Sequence, residues 1–413
     1  MRMASRRFAG GLAVVATLAG IAMAADRDRL RQPGVRVELI DGEPIEGQRV
    51  EVVRDGLVVG DRRVPTGRVL RWDRFENDPT TGKPKSVPRA VGRDEVLLAG
   101  GDRLICRVVS MDDEHLVVRW RLVADQSDWR IPLERVRAVV LRGAPKKIVR
   151  RSLSRDRRRP VDELWLRGGD RMAGELKSLG AEAVVLATEA GSRRVARESV
   201  AVLSMNPELQ VASRRAPRHV RVGFVDGSRL TAAWPKAVAG GLVRLVLDDR
   251  TRHDVAGRSI RSVQYFGSQA VRLPGKKPRQ VVHTPFVGAV RPPVVDGSIS
   301  GGPLVVAGRW TASGLGMTSR TRMTWTLDRR HRRFCARVAI DDSADGAGDV
   351  VFRVLVDGRA VWASGPLTGR DPPKRVGPID LEGAGSLTLE VDYGRRADVG
   401  DHAAWLDPRL LPE

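Results

Sequence analysis

The residues best suited to ligand chemistry lie near the end of the chain, in the motif Asp401-His402-x-x-Trp405-x-Asp407. Binding a sugar requires an aromatic face over the apolar C–H patch of the ring and planar polar groups for its hydroxyls. Trp405 or Tyr393 could supply the aromatic face, because both side chains are large and amphipathic. Asp401 and His402 could supply a charged and a neutral hydrogen-bond partner. The structural alternative makes Trp405 a core anchor and bonds His402 to a backbone carbonyl.

A second polar stretch is the acidic, glycine-rich loop of residues 341–349. Such loops bind Ca²⁺ through oxygen ligands, so Asp341 and Asp342 are candidate metal ligands. Asp407, near the end of the chain, is a third candidate. The alternative is a solvated turn in which Asp side chains cap the backbone. Ca²⁺ is the one cofactor that the sequence suggests.

Motifs for catalysis are missing from the sequence. The six histidines are scattered, and there is no His-Glu-x-x-His pair, no Gly-x-Ser-x-Gly elbow and no phosphate-binding loop. The two cysteines, Cys106 and Cys335, lack zinc spacing and are predicted to be buried apolar residues instead of a disulfide. A carboxylate pair for glycoside cleavage needs no fixed sequence spacing. Glycoside hydrolysis therefore stays as the remote alternative to a protein without catalytic activity.

The last third of the chain reads as antiparallel β structure. Apolar residues alternate with the other face over residues 334–340, 352–356 and 387–391, which is the period of a half-buried strand. Asp357-Gly358 predicts a tight hairpin turn, because glycine accepts a positive φ at low cost. Several short strands with regular turns favour a β-sandwich or jelly roll over residues 280–413.

Three pieces of this region occur together and in order: residues 314–327, residues 333–358 and residues 401–410. Together they resemble the NPCBM family, a carbohydrate-binding module that accompanies some glycoside hydrolases. The resemblance implies a β-sandwich that binds a sugar, with galactose-type sugars or a surface polysaccharide as candidate ligands. The family often has a His after its Gly-x-Gly-x segment. Here Thr318 holds that place, so Thr318 joins the candidate sugar-binding residues.

A weak internal repeat precedes this module. Each of four copies has a leading strand, a glycine turn at Gly42, Gly101, Gly169 or Gly227, and two apolar residues five positions apart near its end. A copy is about five short strands, which would bury their apolar face by curling into a small SH3-like or Sm-like barrel. Neighbouring copies could also pair their edge strands into a longer sheet. The predicted units are residues 33–75, 94–143, 161–207 and 218–268.

Charge and the N-terminus suggest where the protein works. Residues 1–24 read as a secretory signal, with Arg2, Arg6 and Arg7 before an apolar run and Ala24 at the cleavage site; an uncleaved anchor is the alternative. The net charge is +22, of which residues 280–413 carry +1 and residues 25–279 carry +18. The expected location is therefore outside the cytoplasm, secreted or in the periplasm or cell envelope, with no transmembrane segment after the signal.

The sequence thus predicts an exported, all-β, non-catalytic carbohydrate-binding protein. Two alternatives stay open. One is a structural or assembly protein whose β modules contact a protein partner. The other is a polyanion binder that uses the basic repeats, including the cationic run of residues 144–160, although export argues against nucleic acid as the target.

Overall fold

The computed structural model describes residues 34–40, 43–75, 93–153, 160–211, 215–286, 290–328, 330–395 and 397–412. The signal predicted for residues 1–24 and the turn residue Gly42 lie outside these ranges. Nearly every element is a β-strand, which confirms the all-β prediction. In the described ranges we find no helix with the length and apolar character needed to cross a membrane.

The first two repeats supply eleven strands and one short helix. They are β1 (Gly34–Leu39), β2 (Ile45–Gly47), β3 (Val50–Val53), β4 (Gly56–Val59), β5 (Arg62–Pro65), β6 (Val69–Phe75), β7 (Asp94–Leu98), β8 (Arg103–Met111), β9 (His115–Arg119), β10 (Asp128–Pro132), β11 (Val136–Val140) and α1 (Lys146–Ser152).

The third and fourth repeats supply eleven more strands. They are β12 (Asp162–Leu166), β13 (Arg171–Leu179), β14 (Ala183–Thr188), β15 (Gly191–Ala196), β16 (Val200–Ser204), β17 (His219–Phe224), β18 (Arg229–Ala232), β19 (Lys236–Val238), β20 (Leu242–Val246), β21 (Arg252–Ala256) and β22 (Ile260–Phe266).

Each repeat is closed by its own first and last strands. The leading strand pairs antiparallel with the closing strand in all four copies: β1 with β6, β7 with β11, β12 with β16 and β17 with β22. The two apolar residues five positions apart flank one turn of 3₁₀ helix in every copy. Gly101, Gly169 and Gly227 all have positive φ. The five-residue spacing of the apolar pair therefore marks the 3₁₀ turn that leads into the closing strand of each repeat.

The repeats do not fold as separate units. β11 pairs with β16, β22 pairs with β6 and β18 pairs with β8, so one continuous sheet runs through all four copies. Their apolar residues form a single core that includes Val37, Val96, Leu164 and Val222. Edge pairing between neighbours is thus observed, whereas a closed barrel for each copy stays a prediction.

Two basic segments pack against the β structure, one within residues 144–153 and the other within residues 271–276. Within residues 144–160, the helix α1 packs Ile148 against Trp165 and leaves Lys146, Lys147, Arg150 and Arg151 exposed. In the join between the repeats and the module, Leu273 is fully buried, and the Trp325 indole N–H donates to the Lys276 carbonyl over 3.1 Å. This join is therefore part of the module's core and not a solvated linker.

The C-terminal module contains thirteen strands. They are β23 (Val271–Arg272), β24 (Gln280–His283), β25 (Val294–Val295), β26 (Val305–Val306), β27 (Arg309–Trp310), β28 (Gly314–Met317), β29 (Thr321–Thr326), β30 (Arg333–Ile340), β31 (Asp349–Val356), β32 (Arg359–Thr368), β33 (Lys374–Asp380), β34 (Ser386–Tyr393) and β35 (Ala403–Leu411).

These strands form a β-sandwich. One sheet has the order β25-β28-β35-β30-β33, with β23 also paired to β35, and the other has the order β24-β29-β34-β31-β32. The predicted turn at Asp357-Gly358 joins β31 to β32, and both of its residues have positive φ. Gly316 has to be glycine, because a Cβ there would lie 2.4 Å from the carbonyl oxygen of Gly297.

The repeats dock on the module through buried charges. Asp407 of β35 accepts from the side-chain amide of Gln264, in β22 of the last repeat, over 3.1 Å. It also accepts from the guanidinium of Arg272, in β23 of the module itself, over 2.6 Å. Arg71 of β6 donates to the Thr311 hydroxyl over 3.0 Å and is paired with Asp73. All these charged groups are almost fully buried, so the two parts form a specific interface.

The join should matter for the stability of the isolated module. A fragment that begins at residue 280 loses the buried Leu273 side chain, which contributes roughly 1.5–3 kcal/mol, and the Arg272 partner of Asp407. We expect its urea midpoint to lie well below that of a fragment that begins at residue 269. Equal midpoints would show that β23 and Leu273 add nothing to the sandwich.

Candidate ligand-binding site

The proposed aromatic platform, Trp405, is part of the core. It lies in the centre of β35 and is 0% exposed. Its ring meets Phe352 edge-on at 5.4 Å and lies 6.4 Å from Phe334. The prediction that Trp405 contacts a sugar was therefore wrong, because its indole is enclosed in the core between the two sheets of the sandwich. The structural alternative describes it correctly.

The neighbouring Asp401 is also buried, with 1% of its surface exposed. One carboxylate oxygen accepts from the backbone N–H of Asp349 over 3.0 Å. Burial, aided by repulsion from Asp349 and Asp398, raises the pKa of Asp401 to about 6. Asp401 thus clamps the start of β31 and was wrong as a surface hydrogen-bond partner for a sugar.

His402, unlike Asp401, is only half-buried. Its Nδ1 lies 2.9 Å from the Ser343 hydroxyl. Burial lowers the pKa of His402, and the charge of Arg291 acts in the same direction. The ring is therefore neutral at neutral pH and keeps one edge near the surface.

The metal candidates Asp341 and Asp342 accept hydrogen bonds from backbone N–H groups. Asp341 accepts from the backbone N–H groups of Ser343 and Val305. Asp342 accepts from two successive backbone N–H groups, one to each carboxylate oxygen at 2.8 Å. These oxygens cap the backbone, as the alternative of a turn with capping Asp side chains predicts. A Ca²⁺ site at these residues stays a prediction.

Asp407, the third metal candidate, is already paired with two cations. It is 2% exposed, and Arg272 and Arg409 contact its carboxylate at 2.6 and 3.2 Å. Burial alone would raise the pKa of Asp407, but these two guanidinium groups overcome it and hold that pKa below its usual range. Across the described residues, no three His, Cys, Asp or Glu side chains are grouped to hold a metal ion.

Thr318 and Tyr393 both contact residues at the end of the edge strand β24. The Thr318 hydroxyl lies 3.0 Å from His283 Nε2. The Tyr393 hydroxyl donates to the Thr284 carbonyl over 3.4 Å. Both side chains are half-buried and reach the surface. Two of the predicted residues therefore share one exposed site. It lies at the end of β24, a strand that the sequence patterns did not predict.

His283 determines which atoms of this site donate hydrogen bonds and which accept them. Its Nδ1 accepts from the backbone N–H of Arg291 over 3.0 Å. Partial burial and the charge of Arg291 lower the pKa of His283, so the ring is neutral at neutral pH. A neutral imidazole with an accepting Nδ1 carries its hydrogen on Nε2. Nε2–H therefore donates to Thr318, and the hydroxyl hydrogen of Thr318 is left for a ligand.

An aromatic and a cation complete the site. Phe286 is 63% exposed and meets the Tyr393 ring edge-on at 5.8 Å. The Arg320 guanidinium lies 5.7 Å from the centre of the Tyr393 ring. We call the five residues His283, Phe286, Thr318, Arg320 and Tyr393 the His283 surface. It combines an open apolar ring with hydroxyl, imidazole and guanidinium groups, which is the combination that sugar binding requires.

Sequence reasoning missed His283, Phe286 and Arg320. His283 lies 35 positions from Thr318 and meets it only because β24 pairs with β29. One signal was available: the family's usual His is replaced by Thr318, so a second His nearby in space was worth seeking. Spacing alone gave no way to choose among the six histidines.

Comparison with known proteins places the module in a family. Residues 281–411 match the model of the NPCBM/NEW2 domain, which confirms the resemblance seen in the sequence. An alpha-1,3-galactosidase B of Akkermansia muciniphila is 30% identical over 118 residues, which cover 27% of this chain and 14% of that enzyme. The chain thus spans a small part of the length of the curated relative that it matches.

Two solved structures are among the similar ones. A CBM51 module of GH95 from Clostridium perfringens, in complex with methyl-galactose, has 21% identity and a TM-score of 0.31, and the match covers 34% of this chain and 99% of that one. The tandem CBM51 modules of a family 98 glycoside hydrolase from Streptococcus pneumoniae have 10% identity and a TM-score of 0.30, with 77% and 88% covered.

Proposed function

We propose that this protein binds a carbohydrate without cleaving it, and that the sugar contacts the His283 surface. The observation that carries the proposal is an exposed Phe286 ring against Tyr393, together with the half-buried Thr318 hydroxyl at His283, inside a module that matches a carbohydrate-binding family model. Trp405 and Asp401 are buried and do not touch the ligand.

Each group has a distinct role in the proposed complex. The Phe286 ring covers the apolar C–H face of the sugar. The Thr318 hydroxyl donates to a ring hydroxyl, since its own acceptor position is taken by His283 Nε2–H. The guanidinium of Arg320 offers several N–H donors in a fixed plane. Its contact with Tyr393 keeps this group near the aromatic ring of Tyr393.

A galactose-type sugar is the first ligand to test, because the curated relative is a galactosidase. The proposed setting is outside the cytoplasm, secreted or in the cell envelope, in line with the signal predicted for residues 1–24. There the protein would meet polysaccharides and glycoconjugates. The basic repeats would hold the module through the Asp407 and Arg71 contacts described above.

Phe286→Ala is expected to weaken sugar binding at least about tenfold. Removing an aromatic side chain that a bound sugar would bury costs roughly 1.5 kcal/mol or more. His283→Ala should weaken binding as well, because Thr318 then loses the donor that orients its hydroxyl. The measurement is calorimetric titration of the full chain with methyl galactoside, after a glycan array has identified the preferred sugar.

Val361→Ala is the matched control, because Val361 is 50% exposed on β32, the opposite edge of the same sheet. Its affinity should equal that of the unchanged protein. An array without any bound glycan, or equal affinities for Phe286→Ala and Val361→Ala, would count against the proposed site.

A further inference from the structure

Exposed apolar side chains are concentrated on one side of the module. Five large ones lie between residues 281 and 295 and are 41–65% exposed: Val281, Val282, Phe286, Val290 and Val295. The other exposed large apolar residues in the described ranges are scattered over 161–399. Single exposed apolar residues are common, but a cluster of this kind marks a surface that binds a protein, a membrane or a ligand.

These residues come together on one edge of the sandwich. β24 and β25 are edge strands of the two sheets, and the opposite edge strands β32 and β33 contact each other, so β24 and β25 share a side. The backbone N–H of Arg291 donates to His283, which holds Val290 beside the end of β24. We call Val281, Val282, Val290 and Val295 the apolar rim; it adjoins the His283 surface.

Three cations lie beside the apolar rim: Arg279 precedes β24, Arg291 follows Val290, and the carbonyl of Arg320 accepts from the Thr284 N–H over 3.1 Å. Arg279, Arg291 and Arg320 are exposed, and none of them forms an ion pair with a described carboxylate. Arg322, by contrast, is paired with Glu390. A surface with apolar side chains and free guanidinium groups matches the boundary of an anionic bilayer, where apolar groups enter the acyl region and cations meet the head groups.

The shape of this edge favours a bilayer over a protein segment. Val281, Val282 and Val295 stand on edge strands of the two sheets, and Val290 lies in the segment before β25. Docking of a peptide would need a pocket for its side chains. A lipid surface needs no such pocket. It also needs only shallow insertion, which four valines at the margin of a sandwich allow.

We infer that the apolar rim rests on an anionic lipid surface, so that the adjoining His283 surface reaches a sugar carried by a membrane glycolipid. This inference rests on the proposed function for the identity of the ligand, but the lipid contact has its own residues. The sugar would then be bound at the level of the head groups.

The test is co-sedimentation of the full chain with phosphatidylglycerol vesicles. In the variant Val282→Ser/Val290→Ser/Val295→Ser we expect the partition coefficient to fall at least about tenfold, because three apolar groups no longer enter the lipid. Adding galactosyl diacylglycerol to the vesicles should raise the partition coefficient of the unchanged protein. The partition coefficient of Phe286→Ala should be the same with and without the glycolipid.

Two control variants separate the rim from other contacts. Val211→Ser/Val361→Ser removes two exposed apolar groups elsewhere and should partition like the unchanged protein. Lys146→Gln/Lys147→Gln/Arg150→Gln removes exposed charge from α1 and should change the partition less than twofold. If instead this α1 variant loses vesicle binding while the rim variant keeps it, the inference is overturned.

Titration with methyl galactoside separates this inference from the proposed function. The rim variant should bind the soluble sugar as well as the unchanged protein does, because none of its three positions belongs to the His283 surface. Loss of vesicle binding with intact sugar binding supports the lipid contact. Vesicle binding that depends on the rim, without any sugar binding, overturns the proposed function and the glycolipid but not the lipid contact.

Discussion

Replacing Asp407 with alanine is expected to lower the free energy of unfolding by about 3–5 kcal/mol, the usual loss when one partner of a buried ion pair is removed. Arg272 would keep its charge at 8% exposure with its main carboxylate partner gone. The side-chain amide of Gln264 would lose an acceptor as well. The measurement is the urea midpoint of the full chain, followed by tryptophan fluorescence.

The control for this prediction is an exposed ion pair in the same module. Glu382 pairs with Arg332 at 3.0 Å, but its side chain is 67% exposed. Glu382→Ala should therefore change stability by less than about 1 kcal/mol. Similar losses for Asp407→Ala and Glu382→Ala would mean that the stability of the folded chain does not depend on the buried charge of Asp407.

The same ion pair predicts a dependence on pH. The pKa of Asp407 is lowered in the folded protein, so the unfolded chain binds a proton more readily at this position. The stabilisation is then fully present above the unfolded pKa of about 3.9 and is lost as the pH falls through the lower, folded pKa. Asp407→Asn should flatten this part of the stability curve below about pH 4.

Trp405→Ala is expected to cost about 3–5 kcal/mol, as for other large-to-small substitutions of a buried aromatic residue. The cavity would open between Phe334 and Phe352, in the middle of the sandwich core. Sugar binding should weaken only to the extent that the module unfolds. The urea midpoint and a sugar titration under folding conditions distinguish these effects.

Phe286→Ala is the natural contrast, because this aromatic side chain is 63% exposed. It should leave stability within about 0.5 kcal/mol of the unchanged protein while weakening sugar binding. The two aromatic residues thus predict opposite outcomes, one in stability and one in affinity. If Trp405→Ala kept full stability and lost the sugar, the assignment of core and surface would be reversed.

Much of the architecture followed from local patterns. Alternating apolar residues predicted the strands of the module, and Asp357-Gly358 predicted the hairpin between β31 and β32. Four glycine turns and four pairs of apolar residues predicted the repeats. These features depend on backbone conformation and on which face of a strand is buried, and both are written into a few neighbouring residues.

The candidate site was predicted only in part. Thr318, Tyr393 and His402 reach the surface, whereas Trp405 and Asp401 belong to the interior. A Trp at an alternating strand position looks the same whether its face is covered by a second sheet or by solvent. The same holds for the carboxylates of Asp341, Asp342 and Asp407, whose partners come from elsewhere in the fold.

The sequence by itself determined the β class, the repeated turns and the module that matches a carbohydrate-binding family, because each of these depends on short-range periodicity and on a motif. Only the tertiary structure decided that the four repeats share one core and that Leu273 belongs to the module. It also decided that His283, not Trp405, lies at the exposed site. These outcomes depend on pairings between strands far apart in the chain, such as β24 with β29, and local sequence carries no information on which distant strand becomes a neighbour.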